Sequence, residues 1–213
     1  MRRHDATLWT PQERAVLDAL QEPEQIQAYL DSIPYNDEVT CRSPRRVMRD
    51  RKAHCMEGAL FAAAAFAHHG QSPRLIDLRA AKGKDDDHVI VVFEQSGSWG
   101  AVAKSNFTGL RFRCPVYRNL RELAMSYFED YYNLEAERTL RSYSRPLRLS
   151  DRAFPGWRTA DRELDVIGER LDAIAHVPLV TPPQIRRFKP VDKRRYDAGL
   201  MGSNPAGLFG NKG

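Results

Sequence analysis

The chain reads as an α+β domain in which one apolar helix packs on an antiparallel sheet. Three stretches predict it. The run "MEGALFAAAAFAHH", Met56 to His69, has helical character and is apolar on nearly every side, which places it inside the domain. "DDDHVIVVFEQ", residues 85–95, is β-branched and apolar on both faces, the mark of a central strand. "SGS" then turns the chain into "WGAVAKSNF", which pairs back on that strand as a hairpin.

The other elements follow in order. "TPQERAVLDAL" opens a first helix with Thr10 as N-cap, Pro11 at the first position and Glu13 closing a capping box. A second helix runs through "EPEQIQAYLDSI", with Ile26, Tyr29, Leu30 and Ile33 at helical spacing, and Pro34 stops it. Residues 34–54, rich in turn formers, are expected to be mostly irregular. "PRLIDLRAA" and "TGLRFRCPVY" read as strands flanking the hairpin. A helix is expected from Leu120 to Glu137, because Leu123, Tyr127, Tyr131 and Leu134 recur at helical intervals. The division predicted is a core over 1–142 and an extension over 143–213. The extension holds one amphipathic helix within "TADRELDVIGERLDAIAH" and then a Gly, Pro and basic tail laid across the body or partly disordered.

With 213 residues, 42% hydrophobic and 29% charged, the composition is that of a globular protein able to bury a core. The basic start, "MRRHDATLWT", has no apolar stretch behind it, and "ALFAAAAFA" is too short to span a bilayer. The expectation is a cytoplasmic protein. Its net charge of +5 is dispersed and carries no reader motif, so nucleic acid is not an expected partner. Three cysteines, Cys41, Cys55 and Cys114, are an odd number without CxxC spacing, so a disulfide framework is not expected.

Cys55 heads the buried helix. A strand opening with His88 follows, and the next ends with Asn106. Adjacent antiparallel strands can hold His88 and Asn106 side by side, with a helix N-terminus aimed at both. A thiol nucleophile needs that arrangement: a base within reach and a third group orienting the base. The helix N-terminus favours a thiolate over the ordinary thiol of pKa about 8.5, and its N–H groups suit an oxyanion. Asn36, upstream, is the candidate second oxyanion donor.

These residues carry a resemblance. "SPRRVMRDRKAHCMEGALFAAAAF", "DDDHVIVVFE" and "SWGAVAKSNF" resemble the bacterial transglutaminase-like superfamily, within the papain-like cysteine-peptidase fold. The resemblance spans roughly residues 26–135. It implies a papain-like core, Cys55 as nucleophile, His88 as general acid/base and Asn106 as orienting residue. Acyl transfer on a peptide or protein amide would pass through a thioester, without metal or organic cofactor. The family's usual third member is Asp, which "KSN" replaces, so Ser105 competes with Asn106 for the position. His54 stands where a small residue often precedes the nucleophile and narrows the site.

Each of these residues also has a plainer reading. Cys55 is alternatively a small core side chain, and the whole chain a catalytically inactive transglutaminase-like module that binds a protein or peptide partner. Asp85, Asp86 and Asp87 fit a solvated turn better than a metal site, since neighbouring strand residues point to opposite faces. His68 and His69 suit the dipole at a helix end. Cys41 and Cys114 read as structural, Glu57 as a partner of the helix N-terminus or of an amine-bearing substrate, and "RRVMRDRK" as a solvated face.

Overall fold

A computed structural model describes residues 8–210; the basic start of the chain, read above for a leader, and the last three residues of the tail lie outside this range. Four helices come first: α1 (Pro11–Asp18), α2 (Pro23–Asp31), α3 (Pro44–Asp50) and α4 (Cys55–His68). The capping box at the start of α1 is formed, with the Thr10 N–H donating to Glu13 and the Glu13 N–H to Thr10 Oγ1. The stretch expected to be irregular contains α3. Its start is marked by Ser43, whose hydroxyl accepts from the Arg46 N–H, and by Pro44 at the first helical position.

The strands are β1 (Arg74–Ala80), β2 (His88–Gln95), β3 (Ser98–Val102), β4 (Arg113–Tyr117), β5 (Leu140–Ser144), β6 (Leu147–Arg148) and β7 (His176–Pro178). They form one antiparallel sheet in the order β4-β3-β2-β1-β5-β7, with β6 also beside β1. Ser96 and Gly97 both have positive φ, 52° and 76°, which is the two-residue turn whose twist suits a hairpin. It sets Val91 opposite Val102. Alternation along β2 divides the core. Val89, Val91 and Phe93 join the cluster that contains α4, while Ile90 and Val92 join Leu123, Tyr127 and Tyr131 on the other side. The architecture is α+β, with α4 buried against the sheet.

The second half departs from expectation. The helix predicted to Glu137 is only α5 (Leu120–Met125), followed by a 3-10 turn at Phe128–Asp130. Further on, Asn133 Oδ1 accepts from the N–H groups of both Glu135 and Glu137, which holds the end of the predicted range in a loop. The helical spacing of Tyr127 and Tyr131 is met instead by two turns that bury both rings. The boundary at 142 falls inside β5, which pairs with β1, so residues beyond it continue the sheet. The connector "RPLRLSDRAFPGW" holds Trp157, 0% exposed. The amphipathic helix is α6 (Asp165–Ala173), buried through Ile167 and Leu171. The tail contains α7 (Pro182–Ile185), α8 (Lys193–Gly199) and a 3-10 turn at Pro205–Gly207. Among the described residues, no helix is long and apolar enough to cross a membrane.

One close approach fixes α4 against the sheet edge. A Cβ on Gly58 would lie 2.3 Å from Cβ of Lys104. Lys104 has little room to yield, because its Nζ donates to the Leu30 and Ile33 carbonyls at 2.8 and 2.6 Å. Gly58→Ala should therefore lower the urea midpoint, with a loss of about 1–3 kcal/mol from overpacking.

Candidate active site

Cys55 is the first residue of α4, and its sulfur lies partly buried, 3.8 Å from the Asp87 carbonyl that precedes β2. The site therefore forms where the N-terminus of the buried helix meets the start of the central strand. Cys55 and His88 share the wall of one small cleft, of about 50 Å³, with Tyr35, Asn106, Leu110 and Tyr131.

Three protein groups position the His88 ring. Its Nε2 lies 2.8 Å from the Leu110 carbonyl, and since a carbonyl only accepts, Nε2 carries the hydrogen. That leaves Nδ1 for the sulfur. Tyr127 and Tyr131 stand edge-on to the ring, with centroids 6.4 and 6.5 Å away. The Tyr131 hydroxyl is itself held by the carbonyls of Leu78 and Asp86.

A second imidazole flanks the sulfur. His54 is the N-cap of α4, with Nε2 2.5 Å from the Thr40 carbonyl and Nδ1 3.3 Å from the Met56 N–H. Burial pushes the Cys55 thiol up, but hydrogen bonds from His54 and His88, and the charge on each ring, outweigh it and hold the thiol at about 5. Burial lowers the His54 imidazole. The hydrogen bond and charge of Cys55, then Glu57 and the Thr40 carbonyl, raise it to about 9. Nδ1 therefore has two states: neutral, it accepts the Met56 N–H; protonated, it faces a thiolate.

Beneath His54 lies Glu57, 0% exposed. Its carboxylate accepts from Asn36 Nδ2 (3.0 Å), Thr40 Oγ1 (2.7 Å), the Arg42 N–H (3.0 Å), Arg42 Nη1 (3.3 Å) and the His54 N–H (3.1 Å). Arg42, also buried, pairs in addition with Glu38 and Asp50. Both hydrogens of the Asn36 carboxamide are used, on Glu57 and on Thr40 Oγ1 at 2.9 Å. None is left for an oxyanion, so the expectation for Asn36 is corrected: it orients Glu57. Its neighbour Tyr35 faces the cleft instead, and a hydrogen bond links the Cys55 backbone to the Tyr35 hydroxyl. Burial, then the negative charges of Cys55, Asp86 and Glu57, push that hydroxyl well above its ordinary range.

The third position also differs from expectation. The Asn106 carboxamide is engaged by the tail: Oδ1 accepts the Asn204 N–H and Nδ2 donates to the Asn204 carbonyl, both at 2.7 Å. Ser105 Oγ accepts the Phe107 N–H at 3.0 Å. The acceptor on His88 is the Leu110 carbonyl, a main-chain atom that no side-chain pattern reveals. Asn106 lines the cleft but is spent on a different partner, because the chain after β3 swings away into the 3-10 turn at Thr108–Leu110.

The remaining candidates have structural partners. His68 Nε2 lies 2.6 Å from Asp18 and His69 Nε2 2.9 Å from the Leu17 carbonyl, tying the end of α4 to α1. Of the basic run, Arg45 and Arg46 pair with Glu13 and Glu163. Asp85 accepts from Thr139 and Asp87 from the Ala80 N–H, so the acidic triplet is tied to neighbouring strands. Asp77, Asp87 and Asp172 approach one another within 4.8 Å. The chain answers their charge itself: Arg79 lies 3.7, 3.6 and 3.3 Å from the three, and His176 is 2.9 Å from Asp77. His54 is the neighbour of the sulfur that the sequence pattern left in the background. Its signal was its place as N-cap of an apolar helix, three residues before a Glu.

Comparison with protein-family models and with curated proteins returned no match.

The environments of the thiols separate them by pH. Cys41 is buried and pushed up to about 12, whereas Cys55 is held at about 5. An acid group lowered in the folded protein ionises early. Alkylation of Cys55 by iodoacetamide should thus rise with a midpoint near pH 5 and stay on a plateau through pH 7, with Cys41 silent throughout; peptide mapping of the labelled residue reads both. Glu57→Ala would strand Arg42 and several buried donors. Urea unfolding should show a loss of about 3–5 kcal/mol.

Proposed function

We propose that the chain is a papain-like, transglutaminase-like cysteine enzyme that transfers acyl groups from amide bonds through a thioester. One observation carries this reading: the first residue of the buried helix is a cysteine set between two imidazoles, one of which is anchored at its far nitrogen and lines the cleft. A structural cysteine has no need of either ring.

The chemistry follows from the positions. The Cys55 thiolate attacks the carbonyl carbon of the amide, forming the C–S bond and moving the π pair onto oxygen. The Tyr35 hydroxyl, whose oxygen accepts the Cys55 backbone N–H, keeps its own hydrogen for that oxyanion, a role that replaces the one expected of Asn36. His88, which has taken the Cys55 thiol proton at Nδ1, gives it to the leaving nitrogen as the C–N bond breaks, and a thioester remains. Water, or an amine, then attacks the thioester while His88 takes its proton, and the thiolate returns. Hydrolysis is favoured because water needs no acceptor site. His54 supplies charge to the resting thiolate, while His88, on the cleft wall, moves the proton. The Leu110 carbonyl orients His88 as an Asn amide oxygen does, with less charge than an Asp.

The small free volume of the cleft favours a second reading, an inactive module that binds a protein or peptide partner. Incubation with a mixture of peptide amides, followed by intact-mass measurement, separates the two. The enzyme gains an acyl adduct on Cys55 and releases amine; a binding module gains none. His88→Ala should slow adduct formation by about 10²–10⁴-fold, the range of a general acid/base. His54→Gln should instead raise the pH midpoint of Cys55 and keep turnover at higher pH.

A further inference from the structure

The acyl-transfer site already has an occupant. After α8, the chain crosses the cleft mouth through Met201–Phe209, and Gly207, Leu208 and Phe209 line the same cavity as Cys55 and His88. The tail is delivered by tethers upstream: the Tyr132 hydroxyl donates to the Arg195 carbonyl at 2.7 Å, and Arg195 pairs with Asp130 at 2.7 Å.

The contacts that hold the tail beside the cleft are made largely to its backbone. Asn106 meets both the N–H and the carbonyl of Asn204, as a neighbouring strand would. Thr108 Oγ1 donates to the Met201 carbonyl at 3.1 Å, and Asn204 Nδ2 donates to the Tyr35 carbonyl at 3.2 Å. Main-chain bonds of this kind give affinity without much regard to side chain, and specificity then falls to the slots between them. One slot is tight. A Cβ on Gly207 would lie 2.7 Å from the Tyr35 ring and 3.3 Å from Asn106 Nδ2, so glycine alone fits. The next residue, Leu208, is 6% exposed, an apolar side chain taken fully into the protein.

We infer that Met201–Phe209 lies in the peptide channel of this site as an in-chain substrate analogue, and that the site takes, in trans, a peptide with glycine between Tyr35 and Asn106 followed by a large apolar residue. This rests on the acyl-transfer reading above, and it adds to that reading both a substrate class and a self-imposed block. A peptide substrate and the tail compete for one channel, so the fraction of open molecules scales the apparent affinity.

Three full-length proteins test it: the native chain, Gly207→Leu, whose side chain does not fit the slot, and Asn204→Ala, which loses the Tyr35 contact. Thermal unfolding first confirms that each variant is folded. Cys55 alkylation at pH 6.5 should run about tenfold faster in the variants than in the native chain. A synthetic peptide of residues 203–209 should slow it again, and the same peptide with leucine at the glycine position should not. Equal rates in all three proteins, or no protection by the peptide in a folded variant, would overturn the inference while leaving the thiolate intact. Should Cys55 in the open variants react only above pH 8, the thiolate reading itself fails and takes the inference with it.

Discussion

A carboxylate sealed from solvent at the third position of a helix organises this site. Glu57 is fully buried, so its carboxylate must collect protein donors, and the donors it collects belong to the loop before α4. Asn36, Thr40, Arg42 and the His54 N–H all converge on it, which closes residues 36–54 over the helix N-terminus. A buried charge is tolerable only with such company. The consequence is local rigidity: Thr40 and Glu57 together hold His54, His54 caps α4, and α4 begins with Cys55.

The other half of the site is fixed by the sheet. β2 is central, and its first residue, His88, projects at the edge where α4 begins, on the side of the sheet that carries the tyrosines. Its ring is bounded by those aromatic edges and tied at Nε2 to a main-chain carbonyl. Two rigid elements of different kinds thus meet at one sulfur, and the electrostatic result is the sum of opposed effects. Burial resists charge on the sulfur, and the imidazoles on either side more than compensate. Cys41, buried without an imidazole to offset the cost, shows the opposite outcome: burial drives its thiol up.

The tail gives the fold a second logic. Strands β5 and β7 extend the sheet on the side away from the hairpin, and from there the chain returns across its face to the cleft. Tyr132 receives α8 so closely that Gly199 cannot carry a side chain: a Cβ there would fall 1.8 Å from the tyrosine hydroxyl. Glycine at 199 and at 207 serves one purpose, to let backbone pass where a side chain would collide.

Sequence by itself determined the parts governed by local pattern. The capping box of α1, the apolar run of α4, the unbroken β-branched strand β2 and the presence of a turn after it are each written in consecutive residues, and the α+β class follows from their order. Cys55 beside His88 was legible for the same reason, since a helix start and a strand start adjoin in that topology. Tertiary structure decided whatever depends on atoms far apart in the chain. Asn36 turned inward because Glu57 needed donors, and Tyr35 was left facing the cleft. Asn106 met Asn204, nearly a hundred residues on. Leu110 supplied a carbonyl, which every residue has and no pattern marks. The division at 142 could not be seen to cut a strand, because β5 exists only by pairing with β1; a main-chain hydrogen bond leaves no trace in side-chain identity until its partner is known.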